Sequence, residues 1–122
     1  MRSFMVALLL LALLLGGVIG NFVFINETAE ELLTRIEELP HIESADCLPR
    51  ARALADYWET RVETVSVSVC YPAIDRVSEQ VALVICCAEC GDVYGYASAV
   101  ALLRDAVTDM RRLERFSVGN LL

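Results

Sequence analysis

Lysine is absent from this chain of 122 residues, and histidine occurs only at position 41. Every basic side chain is therefore an arginine, ten in all, against 17 Asp and Glu, for a formal charge of −7. A chain this acidic repels phosphate backbones, which argues against nucleic acid as a partner. One histidine and one CxxC provide no four-ligand zinc set. Glycine and proline are scarce, at six and three, and there is no Gly-rich phosphate loop, no GxSxG and no HExxH. The length excludes a multidomain enzyme, and the chain has neither the several spans of a polytopic transporter nor a disordered tail.

What the chain has is hydrophobic residues, 57% of it, unevenly placed. Residues 1–25 hold 19 apolar residues, while residues 26–122 hold 50 of 97, an ordinary globular fraction. Residues 5–24 carry no charge and one polar side chain, Asn21. As a helix these twenty reach about 30 Å, the thickness of a bilayer's hydrocarbon core. Arg2 and the amino terminus precede the run, and Glu27, Glu30 and Glu31 follow it. The positive-inside rule then places the N-terminus in the cytoplasm and the remainder outside. A cleaved signal peptide is the alternative, with Val18-Ile19-Gly20 as the cleavage region. The continuation Phe22-Val23-Phe24-Ile25 favours an uncleaved anchor. Gly16-Gly17 is a weak mark of helix–helix packing in lipid.

Beyond the anchor, apolar residues recur at steps of three and four. The first series is Ala29, Leu32, Ile36 and Leu39. The second runs Leu48, Ala51, Ala55, Trp58, Val62, Val65 and Val69. The third is Ile74, Val77, Val81, Val84 and Ala88, and the fourth is Val93, Tyr96, Val100, Leu103, Val107 and Met110. This spacing places each series on one face of a helix and predicts helices packed at shallow angles. Pro40, Tyr71-Pro72 and Gly91 separate the segments, with Asp46 and Asp92 as caps and Pro49 in a first turn. Arg111, Arg112 and Arg115 gather near the last helix's C-terminus, where its dipole favours cations. With no Gly or Pro between Asn21 and Leu39, the first helix continues out of the anchor. Val65-Ser66-Val67-Ser68-Val69 alternates as a strand does, but the heptad runs through it and helix is preferred.

Few residues carry chemistry. Cys86, Cys87 and Cys90 form a thiol cluster whose members stand three and four apart on a helix; Cys47 and Cys70 complete five cysteines. The plainest reading makes them small apolar packing residues; a structural disulfide, or metal and redox work, are the alternatives. Five is an odd number, so at least one thiol stays free or pairs between chains. Trp58 falls on the second seam and is expected as a core or interface anchor. Tyr94 and Tyr96 form either a contact patch or ordinary packing. Carboxylate pairs such as Glu30/Glu31 and Glu37/Glu38 read as solvated surface. Asn26-Glu27-Thr28 fits a glycosylation sequon close to the membrane.

Trp58, the stretch Tyr71-Pro72-Ala73-Ile74-Asp75-Arg76-Val77, the Gly91-Asp92 break and the ending Leu113-Glu114-Arg115-Phe116-Ser117-Val118-Gly119-Asn120-Leu121-Leu122 together resemble the DUF4363 family. These are short bacterial proteins of unknown function with an N-terminal anchor and a helical remainder. With the anchor, the resemblance covers nearly the whole chain. It implies Trp58, Ile74 and Asp75 as interaction or core anchors and supplies no activity. The family often has a histidine beside its Ile-Asp pair; here Pro72-Ala73 stands there. The cysteine cluster is not a family feature.

The expectation is therefore an all-α protein. Residues 1–25 form a transmembrane anchor, continuing into an antiparallel bundle of three to four helices over residues 26–122, held outside the cytoplasm. It has no catalytic residues, cofactor or metal, and serves for interaction or scaffolding with a protein partner or a second copy. The alternative is a thiol redox or metal-binding protein using Cys86, Cys87 and Cys90.

Overall fold

The structure is a computed structural model. It describes the backbone of residues 1–65 and 71–121 and the side chains of residues 1–65 and 72–113. Four helices follow one another: α1 (Arg2–Glu37), α2 (Cys47–Val65), α3 (Tyr71–Cys90) and α4 (Val93–Leu121). No strand occurs among the described residues. The alternating Val65–Val69 stretch falls, beyond Val65, outside them, as does Cys70.

Each helix packs against its neighbours in sequence, and α4 closes the ring against α1; among the described residues the diagonal pairs make no close backbone contact. The cross-links give the directions. Arg61 of α2 lies over the Phe24 ring of α1, and Arg35 of α1 over Tyr57. Trp58 of α2 bonds Ser78 of α3, and Arg52 pairs with Glu89. Arg76 of α3 meets Asp109 of α4, and Arg111 of α4 meets Asn26 and Glu30 of α1. Successive helices are antiparallel, so the bundle has a base near Phe24 and a far end near Pro40 and Gly91.

The core follows the seams. Ala29, Leu32, Ile36, Ala51, Trp58, Ile74, Val77, Val84, Tyr96, Leu103, Val107 and Met110 are all buried. Burying each large aliphatic among them contributes about 1.5–3 kcal/mol. The seams also widen beyond the heptad: Leu54, Ala99 and Ala106 are buried, as expected for globular helices with a 3.6-residue face rather than a narrow coiled-coil seam.

The turn from α3 to α4 shows why its residues are what they are. Gly91 has φ +72°, the left-handed conformation that glycine adopts without strain. The Asp92 amide then bonds the Cys87 carbonyl at 3.0 Å, the six-to-one bond of a Schellman end. Asp92 goes on to cap α4 by accepting the Gly95 amide at 3.0 Å. A β-carbon on Gly95 would collide with that Asp92 carboxylate and with the Cys87 sulfur, so any larger residue there would have to displace one or both.

Helix α1 is 36 residues without a break. Its first half, through residue 17, is exposed on every side, whereas Ile25, Thr28, Ala29, Leu32 and Ile36 are buried. Val18, Asn21 and Phe22, which lie on the same face, are half-buried. The helix is long and apolar enough to cross a membrane.

Candidate functional site

The sequence-predicted residues separate in space. Trp58 is a core residue whose indole N–H donates to Ser78 Oγ at 2.9 Å. Ile74 is buried in the same core. Asp75 is exposed on the outer face of α3, so it anchors nothing in the core; it follows Ile74 by one residue, and a step of 100° turns it to solvent.

The thiols divide as well. Cys86 and Cys90 are exposed and one turn apart on α3, close enough to share a hydrogen bond. Cys87 is turned toward α4, against Gly95 and Asp92. The charge of Cys86, followed by its hydrogen bond, holds Cys90 in the thiol form to higher pH than usual. Desolvation, followed by the Asp92 carboxylate, does the same for Cys87. A raised thiol holds less of the nucleophilic thiolate at neutral pH than an ordinary cysteine does. Among the described residues, no group of three or more His, Cys, Asp or Glu is placed to hold a metal. Cys47, by contrast, is buried at the start of α2.

The sequon is occupied by packing. Asn26 Oδ1 accepts the Arg111 Nε–H at 2.8 Å, and Thr28 is fully buried with its hydroxyl donating to the Phe24 carbonyl.

Sequence reasoning missed the feature at the far end. The connection between α1 and α2 folds back over the start of α4 and leaves an apolar groove of about 380 Å³. Leu39, Pro40, His41 and Ile42 form one wall, and Val93, Ala97 and Val100 the other. Tyr96 ties the walls together: its hydroxyl donates to the Pro40 carbonyl at 3.0 Å and lies against the Cys47 thiol. Burial, reinforced by that thiol, pushes the Tyr96 phenol upward. The heptad places Val93 inside, yet it is 52% exposed and Tyr94 is 88% exposed.

No family model, no curated protein and no solved structure matches the chain.

Proposed function

We propose that this chain is a single-pass membrane protein whose acidic helical bundle stands outside the cytoplasm as an interaction or scaffolding module, without enzymatic activity. One observation carries the reading. A single unbroken helix is apolar and unpacked through residue 17, then enters a core from Ile25 onward. Leucines exposed on all sides are unfavourable in water, and a bilayer is the solvent that suits them. Such a helix also holds the bundle at a fixed height above the membrane. Arg2 before the span and Glu27, Glu30 and Glu31 after it support an N-terminus in the cytoplasm. The DUF4363 resemblance, an anchor followed by helices, agrees with this reading.

The thiol reading has less support. Cys87 packs against α4 while Cys86 and Cys90 are exposed, and among the described residues no group of three or more His, Cys, Asp or Glu is placed to hold a metal.

Extraction of membranes with alkaline carbonate tests the anchor. The full chain is expected to stay in the pellet, and a variant carrying Leu9→Arg and Leu13→Arg to move to the supernatant. Release of the unaltered chain would remove the anchored reading. A hydrolytic or redox activity in the purified chain, lost on changing one polar residue, would remove the non-enzymatic one.

A further inference from the structure

We infer that the last turns of α4 make a second membrane contact, seated beside α1 in the leaflet nearer the bundle, with Arg112 and Arg115 at the level of the lipid phosphates. This rests on the anchored reading and extends it to a second helix.

Two cross-links fix the register of α4 against α1. Tyr96 reaches the Pro40 carbonyl at the far end, and Arg111 reaches Asn26 and Glu30 at the base. From Arg111, α4 continues to Leu121, a further descent of about 15 Å. The same descent along α1 leads from Asn26 to Gly16 and from Glu30 to Gly20, inside the apolar span. The α1 side chains at that depth agree. Phe22 and Val18 stand one and two turns below Asn26 on its side of the helix and are half-buried, whereas residues 1–17 are exposed all round.

Charge runs out at the same level on both helices. Below Glu27, α1 carries none until Arg2, and below Arg115 the α4 stretch Phe116-Ser117-Val118-Gly119-Asn120-Leu121 carries none. By the register, Arg115 stands level with about residues 22–26 of α1, the top of the span. Arginine suits that level, because its guanidinium pairs with phosphate while its stem lies along apolar chains. Arg111 is engaged with Asn26 and Glu30, but the Arg112 side chain is 77% exposed and Asp109 is 4.0 Å away. Cover by the protein also thins here. Ala99, Ala106 and Leu113 follow one another by heptad steps on one face of α4; the first two are buried and Leu113 is 46% exposed. Leu121 lies about 9 Å deeper than Arg115, a depth that helices seated at the interface take.

The test places single tryptophans on α4 of the full chain, in a Trp58→Phe background, in phosphatidylcholine bilayers brominated high on their chains. Relative to unbrominated lipid, Leu121→Trp fluorescence is expected to fall about twofold and Phe116→Trp less. Asp105→Trp, at an exposed position well above the span, is expected to be unquenched. Arg112→Glu with Arg115→Glu sets carboxylates against the phosphates and is expected to remove at least half of the quenching at position 121. Arg112→Lys with Arg115→Lys is expected to keep it, and helical circular dichroism is expected to be unchanged in every variant. Quenching at 121 no greater than at 105, or quenching that the two glutamates leave intact, would overturn the proposal. Leu10→Trp in the same lipid reports on the anchor alone. Quenching at 10 without quenching at 121 removes the second contact and leaves the anchor, and absence at both removes the anchor as well.

Discussion

The two halves of α1 share one unbroken helix and meet opposite surroundings. Leu8, Leu9, Leu10 and Leu11 are all more than half exposed, while Leu32 on the same helix is fully buried. The first half is leucine on all sides; the second confines its apolar residues to one stripe and fills the rest with Glu, Thr and Arg. An all-round apolar helix asks for a uniform apolar solvent, and a striped one asks for partner helices. The two halves therefore differ in both composition and pattern, and no break in the helix divides them.

The largest expected effect breaks this symmetry directly. Leu32→Ala should destabilise the bundle by about 2–5 kcal/mol, as a buried cavity does. Leu11→Ala on the same helix should change it by less than about 0.5 kcal/mol. Denaturant unfolding in micelles measures both, and equal losses would mean that the first half packs within the protein. Next comes the boundary. Arg111 is mostly buried and donates to both Asn26 and Glu30, so Arg111→Met should cost about 1–2 kcal/mol. Its exposed partner contributes less, and Glu30→Gln should cost under about 0.5 kcal/mol. A reversed order would place the weight of this contact in the ion pair.

A smaller effect lies at the opposite end. Tyr96→Phe removes the bond to Pro40 and should cost about 1 kcal/mol. Because the phenol is raised in the folded state, its contribution is fully present below the unfolded value near 10. It declines as the pH rises above that value, where the unfolded chain loses the proton first. Alkaline unfolding should therefore be shallower in Tyr96→Phe, and identical pH curves would refute the assignment. Least affected is stability when the thiols are considered: Cys87 and Cys90, both raised, should alkylate severalfold more slowly than a reference thiol near pH 8. Mass mapping of labelled peptides reads this, and rates at or above the reference would contradict it.

Much of this architecture is legible in the sequence because it is local. The spacing of Leu32 and Ile36, or of Leu103, Val107 and Met110, marks a buried face, and Gly91-Asp92 marks a helix end followed by a cap. What escapes is whatever needs two distant segments at once. Cys86 and Cys87 are adjacent in sequence but 100° apart on a helix, so α4's position decides which one is covered. Asp75 sits beside a core residue and still points outward. Leu54, Ala99 and Ala106 lie off the heptad and are buried because each helix packs against two neighbours, which widens its seam. The groove at Leu39 and Val93 depends on where the α1–α2 connection lands, and the Asn26 sequon on where Arg111 reaches. No local pattern encodes either.

The central claim is that α1 passes from lipid into protein without interruption, and depth-dependent quenching tests it most directly. A single tryptophan is placed at Leu10, Ile19 or Glu31 in a Trp58→Phe background, in bilayers of lipids brominated along their chains. The account predicts strong quenching at position 10, weaker quenching at 19 and none at 31, with helical circular dichroism unchanged throughout. Absent quenching at position 10, or equal quenching at 10 and 31, would contradict it.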